Sequence, residues 1–329
     1  MTTNSRTALL DGGKAVSMSV ALGIAMTFLF PLSIVAVPVM PIPAAFITSR
    51  HGVRAGLLVS LLTGLVCLGL TLPLVGVYAG ILIFMLTLIA GTGAGLALRK
   101  GISEFRLLMA MAAIFSVTLF LWLGSLLLIV GQGPVSALQS LVDYLAATSG
   151  DFYQSLGMSQ EEIDARITQA RDFATVLPYL APAVILVMSI VFSSANVAIA
   201  RRVFDRLRQP FPRDFAFRDF RVHWAFVYML ILGLLFQFLA PYASETYAFG
   251  LENVGANLYI VAETLFFIQG IAIASFFLWA YKVSGVKRAA VYICLVMLEL
   301  FLSLTSWMGL FDTWFNYRKR FIRKKLSGQ

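Results

Sequence analysis

LLMAMAAIFSVTLFLWLGSLLLIVG, residues 107–131, holds no charged side chain. Its length exceeds the roughly 20 residues of helix that cross the hydrocarbon core of a bilayer. Apolar side chains cover every face of it, so it needs lipid or a large core around it. Lipid offers no hydrogen bonds to a bare backbone, so a crossing segment must be helical. Runs of the same kind fall at 15–31, 33–49, 55–74, 76–98, 177–200, 223–242, 257–281 and 289–309. The chain has 329 residues, 60% of them hydrophobic and 12% charged. Its mean hydropathy is +0.87. The expected fold is all-α: a polytopic transmembrane helix bundle of about eight or nine spans. A β-barrel would leave short alternating segments, and the sequence has none. The apolar run after Arg6 and Lys14 is too long for a signal peptide and is expected to stay as a first helix.

The net charge is +9, and its distribution explains it. Residues 201–222 carry seven Arg and three Asp, and segment 132–176 carries six acids and two Arg. Arg50 and Arg54, Arg99 to Arg106, Lys282 to Arg288 and the tail from Arg318 are basic, whereas loop 243–256 holds Glu245 and Glu252 without a cation. Lys and Arg stay on the cytoplasmic side. The N-terminus is therefore expected in the cytoplasm of a bacterium, with the chain in the inner membrane and 132–176 and 243–256 outside. Topology accounts for the charge without nucleic acid, and anionic membrane lipid is the expected partner of 201–222. Nine crossings would leave the basic tail outside, so either one segment fails to cross or 289–317 is a re-entrant hairpin.

The chain reads as one membrane domain, 1–329, with an N-terminal half (15–131), an outer segment (132–176), C-terminal helices (177–317) and a basic tail (318–329). Pro31, Pro38, Pro41 and Pro43 break the second run into a kinked hairpin, a candidate site wall. In the outer segment Ser159 and Glu162 form the S-x-x-E pattern of a capping box. Leu138, Leu141, Val142 and Leu145 before it, and Ile163, Ile167, Ala170, Ala174 and Leu177 after it, recur at helical spacing. Two amphipathic helices at the outer surface are expected, as an interfacial cover or as a gate over a cavity.

Chemistry is sparse. Gly12-Gly13-Lys14 lacks the loop and the Ser/Thr of a phosphate-binding motif, and the metalloprotease, hydrolase and dinucleotide motifs are absent. The two histidines, His51 and His223, fall at membrane edges, and Cys67 and Cys294 lie in apolar runs without metal-ligand spacing. No enzyme, cofactor or metal is expected. Small pairs four apart, Ala21/Ala25, Gly52/Gly56 and Gly91/Gly95, let helices approach closely in lipid. Internal packing explains them, and Ala21 and Ala25 on the first helix could also dock a partner. The informative residues are Glu263 and Glu299, in the last two apolar runs. A charge at the bilayer centre costs about 2.5–3.5 kcal/mol on insertion scales, so both are expected to face inward. Asn196, Asn257 and Gln269 add hydrogen-bonding groups at similar depth. They serve as interhelical ties or as part of a substrate or ion site. Glu263 and Gln269 fall on different faces of one helix.

Three stretches resemble the YybS-like family of bacterial membrane proteins. They are Gly255-Ala256-Asn257-Leu258, Phe267-Ile268-Gln269-Gly270 and the ending Gly309-Leu310-Phe311-Asp312-Thr313-Trp314-Phe315-Asn316-Tyr317-Arg318-Lys319-Arg320. Gly309, Asp312, Trp314 and Arg318 carry the most specific part of that resemblance, and Asn316 stands where the family often has Asp. In its N-terminal half the chain is similar to substrate-binding subunits of energy-coupling-factor vitamin transporters. Pro41-Ile42-Pro43-Ala44-Ala45 and Arg50-His51-Gly52-Val53-Arg54-Ala55-Gly56 carry this similarity. It implies that Ala21 and Ala25 match an A-x-x-x-A docking motif for energising transporter subunits. Three readings follow: a small-molecule-binding, transport-related subunit, a membrane scaffold or assembly factor, or a proton-coupled carrier using Glu263 and Glu299.

Overall fold

The computed structural model describes residues 3–28, 30–75, 77–131, 133–140, 142–143, 146 and 158–327. Helices make up the regular structure among these residues, as the apolar runs require. They divide into two compact units, Met1–Asp214 and Phe215–Gln329.

The first unit contains α1 (Thr3–Phe28), α2 (Phe30–Val39), α3 (Ile42–His51), α4 (Val53–Val75), α5 (Val77–Met85), a π-helical turn (Leu86–Gly91), α6 (Thr92–Arg99), α7 (Glu104–Val130) and α8 (Gln160–Arg206). The expected kinked hairpin is α2 and α3, which together make one span-length segment, Ile34–His51. Pro41 and Pro43 cannot donate backbone hydrogen bonds, so the break strands carbonyls at membrane depth. Asn196 of α8 reaches the same break, its amide donating to the carbonyl of Pro38 at 2.7 Å. Close packing follows small residues. A Cβ on Gly95 would lie 2.4 Å from the Cβ of Thr48 and 2.5 Å from the carbonyl of Ala45, so the Gly91/Gly95 pair admits α3. Met40, Ile83, Leu86, Met111 and Phe115 are fully buried around this contact.

Ser103 caps α7, and Gly131 ends it at φ 67°. Ser159 and Glu162 form the expected capping box. The helix it starts departs from expectation: the amphipathic stretch and the span at 177–200 form one 47-residue helix, α8. At 1.5 Å per residue it is about 70 Å long, far beyond a bilayer core of about 30 Å. Nothing between Ala174 and Leu177 interrupts the helical period, and Pro178 and Pro182 each remove only one internal donor. Among the residues expected to form the earlier outer helix, 134–140 are helical, while Leu141, Leu145 and 147–157 lie outside the described residues.

The second unit contains a 3₁₀ turn (Phe217–Asp219), α9 (Phe226–Leu239), a second 3₁₀ turn (Ala240–Tyr242), α10 (Glu245–Ala280), α11 (Gly285–Leu302), α12 (Leu304–Phe315) and α13 (Tyr317–Ser327). α9 and α10 form an antiparallel hairpin, brought close where Gly233 meets the backbone of Gly255 and Tyr259. α12 crosses α10 at a second glycine contact, described below.

Candidate functional site

The last apolar run is not one straight helix. α11 and α12 meet at a 98° bend with Ser303 between them. Ser303 takes the left-handed conformation at φ 50°, and its N–H bonds the carbonyl of Glu299. The 12 residues of α12 span only about 18 Å, too short to cross alone. α12 and the start of α13 run along α10 from the bend toward its C-terminal end. There Arg218 stacks 4.0 Å over Trp279 at the end of α10. Arg318, at the start of α13, donates to the carbonyls of Arg218 and Phe220 at 2.8 and 2.9 Å. Phe321 packs edge-on against Phe276, Phe277 and Tyr281. The end of α10, the start of α11 and the start of α13 thus lie at one end of this unit. The pair α11–α12 is a bent pair with Ser303 at its apex.

Both membrane-depth glutamates meet at that apex. Glu263 of α10 accepts at one oxygen, Oε1, from the Tyr259 hydroxyl at 2.8 Å and from the Ser303 hydroxyl at 2.9 Å. Glu299 of α11 accepts the backbone N–H of Ser306 at 3.0 Å and contacts the Ser306 hydroxyl. Ser306 lies in the first turn of α12, where N–H groups have no internal partner and the helix dipole is positive. Glu299 therefore caps α12 from across the bend. The Ser306 hydroxyl also lies 3.1 Å from the backbone carbonyl of Glu263. It has one proton and two acceptors, so it links the two glutamates into one network. Each glutamate is half-buried. Such an arrangement, carboxylates beside a helix N-terminus in broken helices, can hold a proton or a small cation at membrane depth.

A second polar cluster fixes the hairpin's returning end. Asp312 and Arg318 are each 2% exposed, and their ion pair closes at 2.7 Å. Asp312 also accepts the N–H of Tyr317 at 2.8 Å. Arg318 thus spends one edge on Asp312 and one nitrogen on the carbonyls of the 3₁₀ turn. Gly309 sits where α12 crosses α10: a Cβ there would lie 1.9 Å from the carbonyl oxygen of Phe266. Asn316 takes a left-handed conformation at φ 49° and accepts from Arg221 at 2.6 Å. An amide suffices there for a bond to a cation. Trp314 points outward and is exposed.

The structure sorts the remaining candidates. Gln269 is buried and bridges the N–H of Val222 at 2.6 Å and the carbonyl of Gly309 at 2.8 Å, so it is a packing tie. Asn257 donates along its own helix to Asn253. Asn196 serves the break at Pro38. The bonds of Gln269 and Asn196 thus run to backbone groups away from the carboxylates at the apex. Ala21 is exposed and Ala25 half-buried, so their face of α1 is not consumed by packing within the unit. Tyr259 and Ser306 escaped the sequence reading. Tyr259 stands one turn from Glu263 and was findable, whereas Ser306 meets Glu299 only across the bend.

A family model described as "Predicted membrane protein (DUF2232)" matches residues 17–313, which include both glutamates, Gly309 and Asp312. The chain is 22% identical over 326 residues to "Uncharacterized protein YybS" of Bacillus subtilis (strain 168), covering 95% of this chain and 98% of that protein. No solved structure matches.

Proposed function

The chain belongs to the DUF2232 family of predicted membrane proteins, and from that premise we propose that it is a transport-related, multi-pass membrane protein in which Glu263 and Glu299 exchange a proton or small cation. One observation carries this reading: two carboxylates from separate helices converge, with hydroxyl donors, on the apex of the bent pair α11–α12. Irregular backbone at membrane depth is tolerated inside protein or along a cavity, and ionisable groups there cost enough to need a purpose or a partner. The hairpin also removes the parity problem of the topology. As a re-entrant pair, α11–α12 returns the basic tail to the side on which 282–288 lies, which the charge of both assigns to the cytoplasm of a bacterium. The exposed face at Ala21 leaves room for an energising subunit that would couple this exchange to a small-molecule ligand.

Infrared difference spectroscopy on the reconstituted protein tests the exchange without knowledge of a substrate. Acidification, or addition of sodium or potassium, should change the carboxylate bands. Glu263→Gln and Glu299→Gln should each remove part of that signal, with helix content and elution unchanged. Glu299→Gln should cost about 1 kcal/mol of stability at most, because its amide oxygen still caps α12 and only the charge–dipole attraction is lost. Identical difference spectra in the wild type and both variants would exclude the proposed exchange.

A further inference from the structure

The first unit holds a cavity of about 250 Å³ between α1, α3 and α8. Three charged side chains stand in its otherwise apolar lining. Asp11 and Lys14 lie in the third and fourth turns of α1, and Arg50 lies in the last turn of α3. These three line one end of the cavity. Met18, Ile42 and Phe46, one or more turns further along the same helices, line the apolar remainder. Asp11 is already neutralised, with Arg50 at 3.1 Å and His51 at 3.0 Å. Arg50 also packs toward the ring of Phe46. Lys14 is exposed and makes no ion pair among the described residues. The cavity thus has an apolar body and, at the helix ends, a cationic mouth with a free ammonium.

We propose that this cavity binds an anionic phospholipid, with an acyl chain against Met18, Ile42 and Phe46 and the phosphate beside Lys14. The polarity gradient of the cavity runs as that of a lipid does, headgroup at the helix ends and chain toward the interior of the span. An ammonium at this level attracts anionic headgroups with an energy that changes binding about fivefold per charge. The free ammonium selects a net negative headgroup over a zwitterionic one. The Asp11–Arg50–His51 cluster holds the mouth open at a fixed width, because Asp11 ties α1 to α3. This inference is independent of the carboxylate pair in the second unit.

The test is electron spin resonance on the full chain reconstituted with spin-labelled phosphatidylglycerol, phosphatidylcholine or stearate. Phosphatidylglycerol should show an immobilised component well above that of phosphatidylcholine. Lys14→Ala should cut that preference about fivefold. Met18→Trp should abolish it by filling the cavity from a half-exposed position that does not threaten folding. Equal immobilisation of the two phospholipids would overturn the proposal, as would a preference indifferent to both substitutions. Immobilisation of stearate alone would also overturn it, because a free amphipathic anion would then be the ligand.

Discussion

Arg318→Ala is expected to be the most damaging single substitution in the second unit, with a loss of about 3–5 kcal/mol, the range for removing one partner of a buried ion pair. The reason is the number of groups it leaves stranded. Asp312 would remain 2% exposed and charged, and the carbonyls of Arg218 and Phe220 would lose their donor. Arg318→Lys should recover little, because an ammonium on a flexible stem cannot span a carboxylate and two carbonyls as the planar guanidinium does. Replacing both charges, as in Asp312→Asn with Arg318→Met, should cost less than Arg318→Ala alone, since no buried charge is then left unpaired. Thermal unfolding followed by fluorescence-detected gel filtration in detergent would rank the four proteins. A loss below about 1 kcal/mol for Arg318→Ala would place the pair at the surface, where such pairs are worth that little.

Gly309→Ala is expected to be the second most damaging change, by about 3 kcal/mol, the upper end of the range for overpacking. The added methyl would lie 1.9 Å from the carbonyl oxygen of Phe266 and 2.9 Å from the nitrogen of Gly270. Both are backbone atoms, so no side chain can rotate away and α12 must lift from α10. Gly270→Ala meets the carbonyl of Thr305 at 2.1 Å across the same crossing. The two substitutions should therefore cost less together than their sum, because the first already separates the helices. Gly250→Ala provides the contrast. It lies in α10 with nothing within 4 Å of the added atom, and it should stabilise by about 0.5–1 kcal/mol through helix propensity alone. Equal effects at Gly250 and Gly309 would mean that the crossing is not close.

Much of this architecture was written locally. Residues 107–131 and their counterparts announced a membrane bundle because lipid leaves so few alternatives for an uncharged run of that length. Ser159 and Glu162 announced the start of α8 because a capping box is a four-residue event. The basic tail, at odds with a count of nine crossings, left either one crossing fewer or a re-entrant hairpin at 289–317, and the 98° bend at Ser303 lies in that stretch. What the sequence did not disclose depends on contacts through space. Glu299 finds the first turn of α12 only because the chain bends at Ser303, and a serine in a left-handed conformation leaves no pattern. Gln269 read equally as an interhelical tie or a site residue, because a buried amide looks the same in a chain whether it holds a ligand or a neighbouring helix. Asn196 read likewise, yet its partner is a carbonyl 158 positions away. The join between the outer segment and the following span was invisible because the period of α8 continues through it.

If α11–α12 is re-entrant, the starts of α11 and α13 face the same side of the membrane. Single cysteines at 244, 286 and 323, in a chain with Cys67 and Cys294 replaced by Ala, test this with a membrane-impermeant maleimide in sealed, oriented vesicles. All three positions are exposed. Positions 286 and 323 should react from the same side of the membrane, and position 244, at the other end of α10, from the opposite side. Reaction of 286 and 323 from opposite sides would make α11–α12 a crossing, place the tail across the membrane and remove the apex on which the two glutamates meet.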